Sequence, residues 1–322
     1  MKLIVTIDTE EDNWNRYSAT DNPVENIQRI PALQQLFDEF NVLPTYLVTY
    51  PVATNPKSVA ILKRILENGK CEIGMHCHPW NTPPFNENDV IRNQNTMLCN
   101  LPEPLVQEKL YVLNDVICKN FGIMPVSFRA GRWGFGPGVA HSLCQLGYRV
   151  DSSVTPFVNW EYCHGPDFSS FGPELFRFGP EGLSNKNKRG PLLQVPATVG
   201  FLQANYHFCR YLMKATDNKL SKIFHLRGVL NRIGLLNQVW LSPEMTDDNS
   251  MIRLASRMHT KKYLCINMSF HSTTLIEGLN PFVKSIDEKH DFLKKIKKFL
   301  TFIRGSGWKS QTLEQFEKTF SF

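Results

Sequence analysis

Asp8 and Glu10, in Thr6-Ile7-Asp8-Thr9-Glu10-Glu11-Asp12, stand two apart at the end of an apolar run. A strand's period of two puts both carboxylates on one face. Adjacent carboxylates repel, so the pair asks for a cation or an arginine between them. The competing reading is an acidic turn with an N-capping Asp. His76 and His78, in His76-Cys77-His78-Pro79-Trp80, are also two apart, and Pro79 disfavours helix at His78. Two imidazoles and one carboxylate form a facial ligand set. It suits zinc with open positions, or a non-haem iron or cobalt. Two surface histidines in a loop is the plainer alternative.

Arg129, in Ser127-Phe128-Arg129-Ala130-Gly131-Arg132-Trp133-Gly134, emerges from an apolar strand. A buried Arg there needs a carboxylate, and Asp8 is a candidate. The Gly-flanked stretch can aim backbone N–H groups at a developing oxyanion. For Arg132 a solvent-facing position competes. Asp151 and His271 complete the set. A carboxylate beside an imidazole orients it and favours imidazolium, the form a general acid needs; a satisfied core histidine is the alternative for His271. Trp80, Trp133 and Trp160 offer flat faces for a ligand or fill core, and core is expected for at least one of them.

Something must bring these residues together. Strand-then-helix recurs along the chain. Strands are expected at 3–7, 45–49, 71–75, 125–128, 148–150, 192–195 and 263–268. Helices are expected at 25–40, 58–68, 103–120, 138–146 and 287–303, with Gly69, Gly122 and Gly147 as stops. Alternating units imply a parallel sheet. Seven units without a Gly-rich phosphate loop after the first strand argue for a closed α/β barrel over a dinucleotide-binding sheet. The reactive residues lie at strand C-terminal ends, which converge on one mouth of a barrel. Insertions at about 155–191 and 201–261 both follow strands and so belong at that rim. One domain spanning 1–322 is expected.

The composition agrees. In 322 residues, 42% are hydrophobic and 20% charged, which excludes a disordered tail, a collagen or a coiled coil. Net charge is +6, too weak to argue for nucleic acid. No run approaches the roughly 18 apolar residues of a spanning helix. The first residues carry no signal-peptide pattern, and the eight cysteines form no CxxC pair. Reduced thiols, mostly core filler, in a cytoplasmic protein are the expectation. The segment from Lys219 to Leu236 interleaves basic and apolar residues. It reads as an insertion helix packed on the barrel with a solvated basic face, or as a peripheral membrane contact, and the packed reading is preferred.

Taken in order, these motifs resemble the polysaccharide deacetylase family, the NodB-homology domain of carbohydrate esterase family four. The resemblance covers most of the chain outside the two insertions. It implies a distorted seven-stranded (β/α) barrel. Thr6-Ile7-Asp8-Thr9-Glu10 is similar to a D-x-E form of the first motif, which implies Asp8 as catalytic base and Glu10 as metal ligand. His76 and His78 are similar to an H-x-H-P-W branch of the second, which implies two further ligands. Arg129 would orient the base. Asp151 matches the fourth motif and would orient His271, the general acid of the fifth. Trp80, Arg132 and Trp133 are the expected substrate contacts.

The resemblance implies a metal-dependent hydrolase, with zinc the expected ion, that removes an N-acetyl group from an amino sugar in a polysaccharide, glycolipid or sugar precursor. Hydrolysis of another linear or cyclic amide on the same barrel is the alternative among enzymes. A catalytically inactive carbohydrate-binding protein is the alternative outside them.

Overall fold

The computed structural model describes residues 1–85, 91–218 and 225–320. Strand β1 (Lys2–Thr9) is a nearly unbroken apolar and β-branched run, buried from Leu3 onward. Burial on both faces is what a central parallel strand requires. Its neighbours are β2 (Pro44–Val48), β3 (Glu72–Cys77), β4 (Ser127–Ala130) and β5 (Val150–Asp151). The chain continues through β6 (Phe176–Phe178), β7 (Leu192–Gln194), β8 (Val199–Phe201), β9 (Gln238–Trp240), β10 (Cys265–His271) and β11 (Lys309–Ser310).

β11 makes a short parallel pairing with the start of β1, and seven others form the parallel path β10-β1-β2-β3-β4-β5-β7. They are the seven expected strands, in sequence order around the sheet. The sheet curls until the chain beyond β7 meets β10. Thr198 N donates to Asn267 O (3.1 Å), and Asn267 N donates to Thr198 Oγ1 (2.8 Å). The product is a distorted α/β barrel, closed by these bonds rather than by a regular ladder. β6 adds an antiparallel edge to β7, and β8 and β9 form a separate antiparallel ribbon. Neither was expected from the sequence, because both lie in or beside the insertions, outside the strand-then-helix alternation.

Helices α1 (Ile30–Glu39), α2 (Tyr50–Thr54), α3 (Pro56–Glu67), α4 (Glu103–Phe121) and α5 (Pro137–Gln145) follow the strands. The helix expected at 25–40 opens as a 3₁₀ turn, Glu25–Arg29, and becomes α-helical where Pro31 occupies the first turn. Proline suits that place because its missing N–H has no helical partner there. Gly122 ends α4 at φ 72°, a conformation a side chain resists.

The second insertion carries α6 (Tyr206–Ala215), α7 (Leu226–Arg232) and α8 (Asp248–Thr260). Part of the segment expected at 219–236 lies outside the described residues. Then come α9 (Ile286–Gly305) and α10 (Leu313–Thr319).

The barrel interior is layered along β1. Ile4 packs with Val150, Leu193 and Val195, and α10 plugs that end with Leu313 and Phe316. Two residues on, Thr6 enters a polar layer, and two further on stands Asp8. An apolar floor with carboxylates above it keeps solvent from reaching the site from below.

Candidate active site

The parallel register assembles the site. Asp8 lies beside His271 on β10, and His76 on β3 lies beside Arg129 on β4. Glu10 and His78 follow just past their strands.

Arg129 is fully buried, and its donors are taken in every direction. Nη1 donates to Asp8 Oδ1 (2.6 Å), Nη2 to Thr6 Oγ1 (2.7 Å) and Ser152 Oγ (3.0 Å), and Nε to Ser152 O (3.0 Å). Thr6 Oγ1 donates in turn to Asn267 Oδ1, and Asn267 Nδ2 to Ser152 Oγ. A closed ring of bonds therefore ties four chain segments across the interior. Burial alone would raise the Asp8 carboxyl; the charges of Arg129, His76 and His271 outweigh it and hold the group below its usual range. The expected Arg129–Asp8 pair is present. Thr6 and Asn267 were missed. Their signal was a polar residue on the inward face of an otherwise apolar strand.

Glu10, His76 and His78 converge. Their ligand atoms lie within 4.8 Å of one another, and all three residues are buried. Glu10 Oε2 is 3.4 Å from His78 Nε2 and 3.8 Å from His76 Nε2, and the two nitrogens are 3.1 Å apart. Ligands about 2.0–2.1 Å from a tetrahedral ion lie roughly 3.3–3.4 Å from each other. The outer nitrogens are fixed as well. His76 Nδ1 donates to Arg129 O (2.9 Å), and His78 Nδ1 donates to Glu11 Oε1 (2.8 Å). A carbonyl can only accept, so His76 carries its proton on Nδ1 and turns the Nε2 lone pair inward. A carboxylate does the same for His78. With Glu10 ionised and both imidazoles neutral, three acceptors face one another, an arrangement a cation relieves. The donor set fits a divalent metal ion.

Burial pushes His76 down to about 3 and Glu10 up to about 8. His78 is raised, because Glu11 outweighs its burial. Glu11 was not singled out from sequence; it passed as part of an acidic turn. Gly131 makes room for this layer: a Cβ there would lie 2.5 Å from His78 Cδ2 and 2.6 Å from Cys77 O.

His271 is held differently from expectation. Its Nδ1 lies 3.0 and 3.1 Å from the Glu244 carboxylate oxygens, and its backbone N donates to Glu244 Oε1 (2.8 Å). Burial opposes charging this ring, but Glu244, Glu10 and Asp8 overcome it and push the pKa up to about 10. Nε2 faces Asp8 Oδ2 at 3.8 Å. The edge of Trp14 packs on the ring, 4.8 Å between centroids.

Asp151 does not orient His271. Its carboxylate accepts from Ser153 N (3.1 Å) and Ser153 Oγ (2.6 Å), and burial pushes it up to about 7. It anchors the turn that presents Ser152 to Arg129. Glu244 takes the expected role, and sequence could not reveal it, because it comes from the second insertion, 27 residues from its partner.

A cleft of about 600 Å³ lies over these groups, walled by Trp14, Tyr17, Trp133, Trp160, Tyr162 and Trp240. Trp80 lines it but is buried, its ring stacked on His78 at 4.1 Å. It covers a candidate ligand and offers no free face. Arg132 also lines the cleft, yet its guanidinium bonds Asn93 Oδ1 (2.6 Å) and Thr96 Oγ1 and sits over Tyr17. Arg132 and Trp133 are both left-handed, at φ 51° and 61°. Such a pair is strained and re-aims the backbone at the cleft wall. Trp133 lies over the Arg129 guanidinium, 5.0 Å from ring centroid to carbon. Trp160 is pinned by Nε1 donating to Thr155 Oγ1 (2.8 Å). All eight cysteines are free thiols; three are buried and five only partly so, fewer in the core than expected.

No family model matches the chain, and no curated protein matches it. Solved structures do. A candidate polysaccharide deacetylase from Mycobacterium smegmatis is 14% identical with a TM-score of 0.49, over 97% of this chain and 93% of that one. A family 4 carbohydrate esterase from Streptomyces lividans, in complex with acetate, is 10% identical with a TM-score of 0.46, over 99% and 94%. A CE4 family pseudoenzyme from Bacillus anthracis is 9% identical with a TM-score of 0.44, over 98% and 65%. Likeness at this level assigns no role to any residue here. The structures similar to this chain thus include family four carbohydrate esterases, the family its motifs resemble.

Proposed function

We propose that the chain is a divalent-metal-dependent hydrolase that removes an N-acetyl group from an amino sugar. One observation carries the reading: the Glu10–His76–His78 ligand set lies beside an oppositely tuned Asp8–His271 pair, under an aromatic cleft of sugar size. Glu10, His76 and His78 would hold the ion, with zinc the proposed metal. Bound there, it supplies Lewis acidity toward the amide carbonyl and lowers the pKa of water.

The chain's own residues do the rest. Arg129 holds one oxygen of Asp8, leaving Oδ2 to take a proton from the attacking water. The water oxygen bonds the carbonyl carbon. Backbone N–H groups of the left-handed turn at Arg132 and Trp133 are the proposed donors to the oxyanion. His271, held as imidazolium by Glu244, gives its proton to the departing nitrogen as the C–N bond breaks. Acetate and the amine leave. Nε2 of His271 and Oδ2 of Asp8 are close enough for a proton to pass back through one water. Trp133, Trp160 and Trp240 are the proposed sugar platforms, with Arg132 fixing the wall.

The test begins with metal content. Untagged wild type should carry about one divalent ion per chain by mass spectrometry, and His76→Ala none. Wild type should then release acetate from N-acetylated oligosaccharides. A chain that neither holds nor takes up metal overturns the reading and leaves a carbohydrate-binding module. Metal without acetate release, across acetylated sugars, points to another amide.

A further inference from the structure

The second insertion exposes more apolar surface than its place in the fold explains. Phe208 and Tyr211 on α6, Leu226 and Val229 on α7, and Ile233 and Leu235 just beyond are each between 41% and 69% exposed. Leu226, Val229 and Ile233 recur at i, i+3 and i+7, so they share one face of α7 and its C-terminal cap. An amphipathic helix ordinarily buries that face. Here only the neighbouring Leu230 joins the small cluster of Phe157, Phe201, Cys209 and Leu236.

The same stretch is the basic pole of the chain. Residues 201–240 contain six Lys or Arg against a single acid, Asp217, a net +5 in a protein whose total is +6. Arg210, Lys214, Arg227 and Arg232 are the described members. Arg227 is engaged with Met213 O and Asp217, whereas Arg210, Lys214 and Arg232 have no ion-pair partner among the described residues.

This surface adjoins the candidate active site. Arg210, Tyr211, Lys214 and Arg227 line a depression of about 960 Å³ that shares Tyr162 and Trp240 with the aromatic cleft. Tyr162, on the shared rim, is 80% exposed.

We propose that α6 and α7 dock the protein on an anionic lipid surface, with the cleft mouth turned toward saccharide carried there. Aliphatic side chains settle at the acyl boundary while flanking Arg and Lys meet the headgroup charge. A nucleic acid would answer the charge but would leave Leu226, Val229, Ile233 and Leu235 without apolar partners. No helix among the described residues is long and apolar enough to cross a membrane, so the contact is peripheral. The docking stands on this surface alone; the saccharide part rests on the deacetylase reading.

The test is flotation with phosphatidylcholine vesicles, with and without phosphatidylglycerol. Wild type should float with the anionic vesicles, less so at high salt, and not with the neutral ones. A Val229→Ser, Ile233→Ser double variant should bind at least tenfold more weakly, because two aliphatic side chains no longer leave water at the acyl boundary. An Arg210→Gln, Lys214→Gln, Arg232→Gln triple variant should lose on the order of 10²-fold. Absence of vesicle binding, equal binding to neutral vesicles, an unchanged double variant, or binding to RNA in place of vesicles overturns the docking.

An N-acetylglucosaminyl lipid in the vesicles tests the saccharide part. The double variant should release acetate from it at least tenfold more slowly, with release from soluble oligosaccharide unchanged. Equal loss on both substrates overturns that part. Vesicle binding without acetate from either substrate upholds the docking and overturns the deacetylase reading instead.

Discussion

The two walls of the cleft are built by different means. One consists of strand ends: Asp8, Glu10, His76 and His78, backed by the buried Arg129, all under a tenth exposed and placed by parallel register. The other consists of insertion residues: Trp160, Tyr162, Trp240 and Glu244, placed by loops and a three-residue ribbon. The first wall has its side chains bonded from several sides, so its geometry is over-determined. The second wall is aromatic and partly open. The contrast teaches that the reacting groups belong to the scaffold and the shape of the substrate space to the insertions. Glu244 is the exception, an insertion residue that tunes a strand-end histidine.

The comparison can be broken most forcefully at Arg129. Arg129→Met leaves Asp8 buried without its partner and opens the ring through Thr6, Ser152 and Asn267. Thermal or denaturant unfolding should show a loss of about 3–5 kcal/mol. A loss near zero would mean that the strand-end wall is not over-determined. Asp8→Asn should lower turnover by roughly 10²–10⁴-fold while the metal count stays the same. Activity near wild type would remove Asp8 from the base role.

Smaller effects sharpen the comparison. Glu244→Gln removes the largest influence holding His271 charged. The acid must be protonated to act, so wild-type kcat/KM should persist until pH rises toward about 10 and fall beyond it. In the variant that alkaline limb should move to lower pH. A limb that does not move would detach Glu244 from the mechanism. Glu11→Gln should weaken metal affinity by roughly 10–100-fold, the usual worth of a carboxylate behind a ligating histidine. Competition with a chelator reads it directly. Trp240→Ala, on the insertion wall, should raise KM several-fold with kcat nearly intact, as expected for a stacking contact worth about 0.5–1.5 kcal/mol. A collapse of kcat instead would mean that the insertion wall shares in the chemistry.

The barrel is written in the order of apolar runs and helices along the chain. Seven apolar runs interspersed with five amphipathic helices leave few alternatives, because strands buried on both faces and joined by helical crossovers fit a parallel sheet. Residue spacing also sets which side chains share a face, since a period of two places Asp8 with Glu10 and His76 with His78. Both are local properties of an extended chain, readable within a few residues. Beyond the Asp8–Arg129 pair, the partners are set only by folding. Glu244 stands behind His271 while Asp151 turns back on Ser153, because the second insertion folds over the mouth and the fifth strand ends in a tight turn. Trp80 closes over His78, and Glu11 reaches that same ring. Glu244–His271 and Glu11–His78 join residues 27 and 67 positions apart, and the other two pairings fold back through irregular segments, where no periodicity reports which way a side chain points.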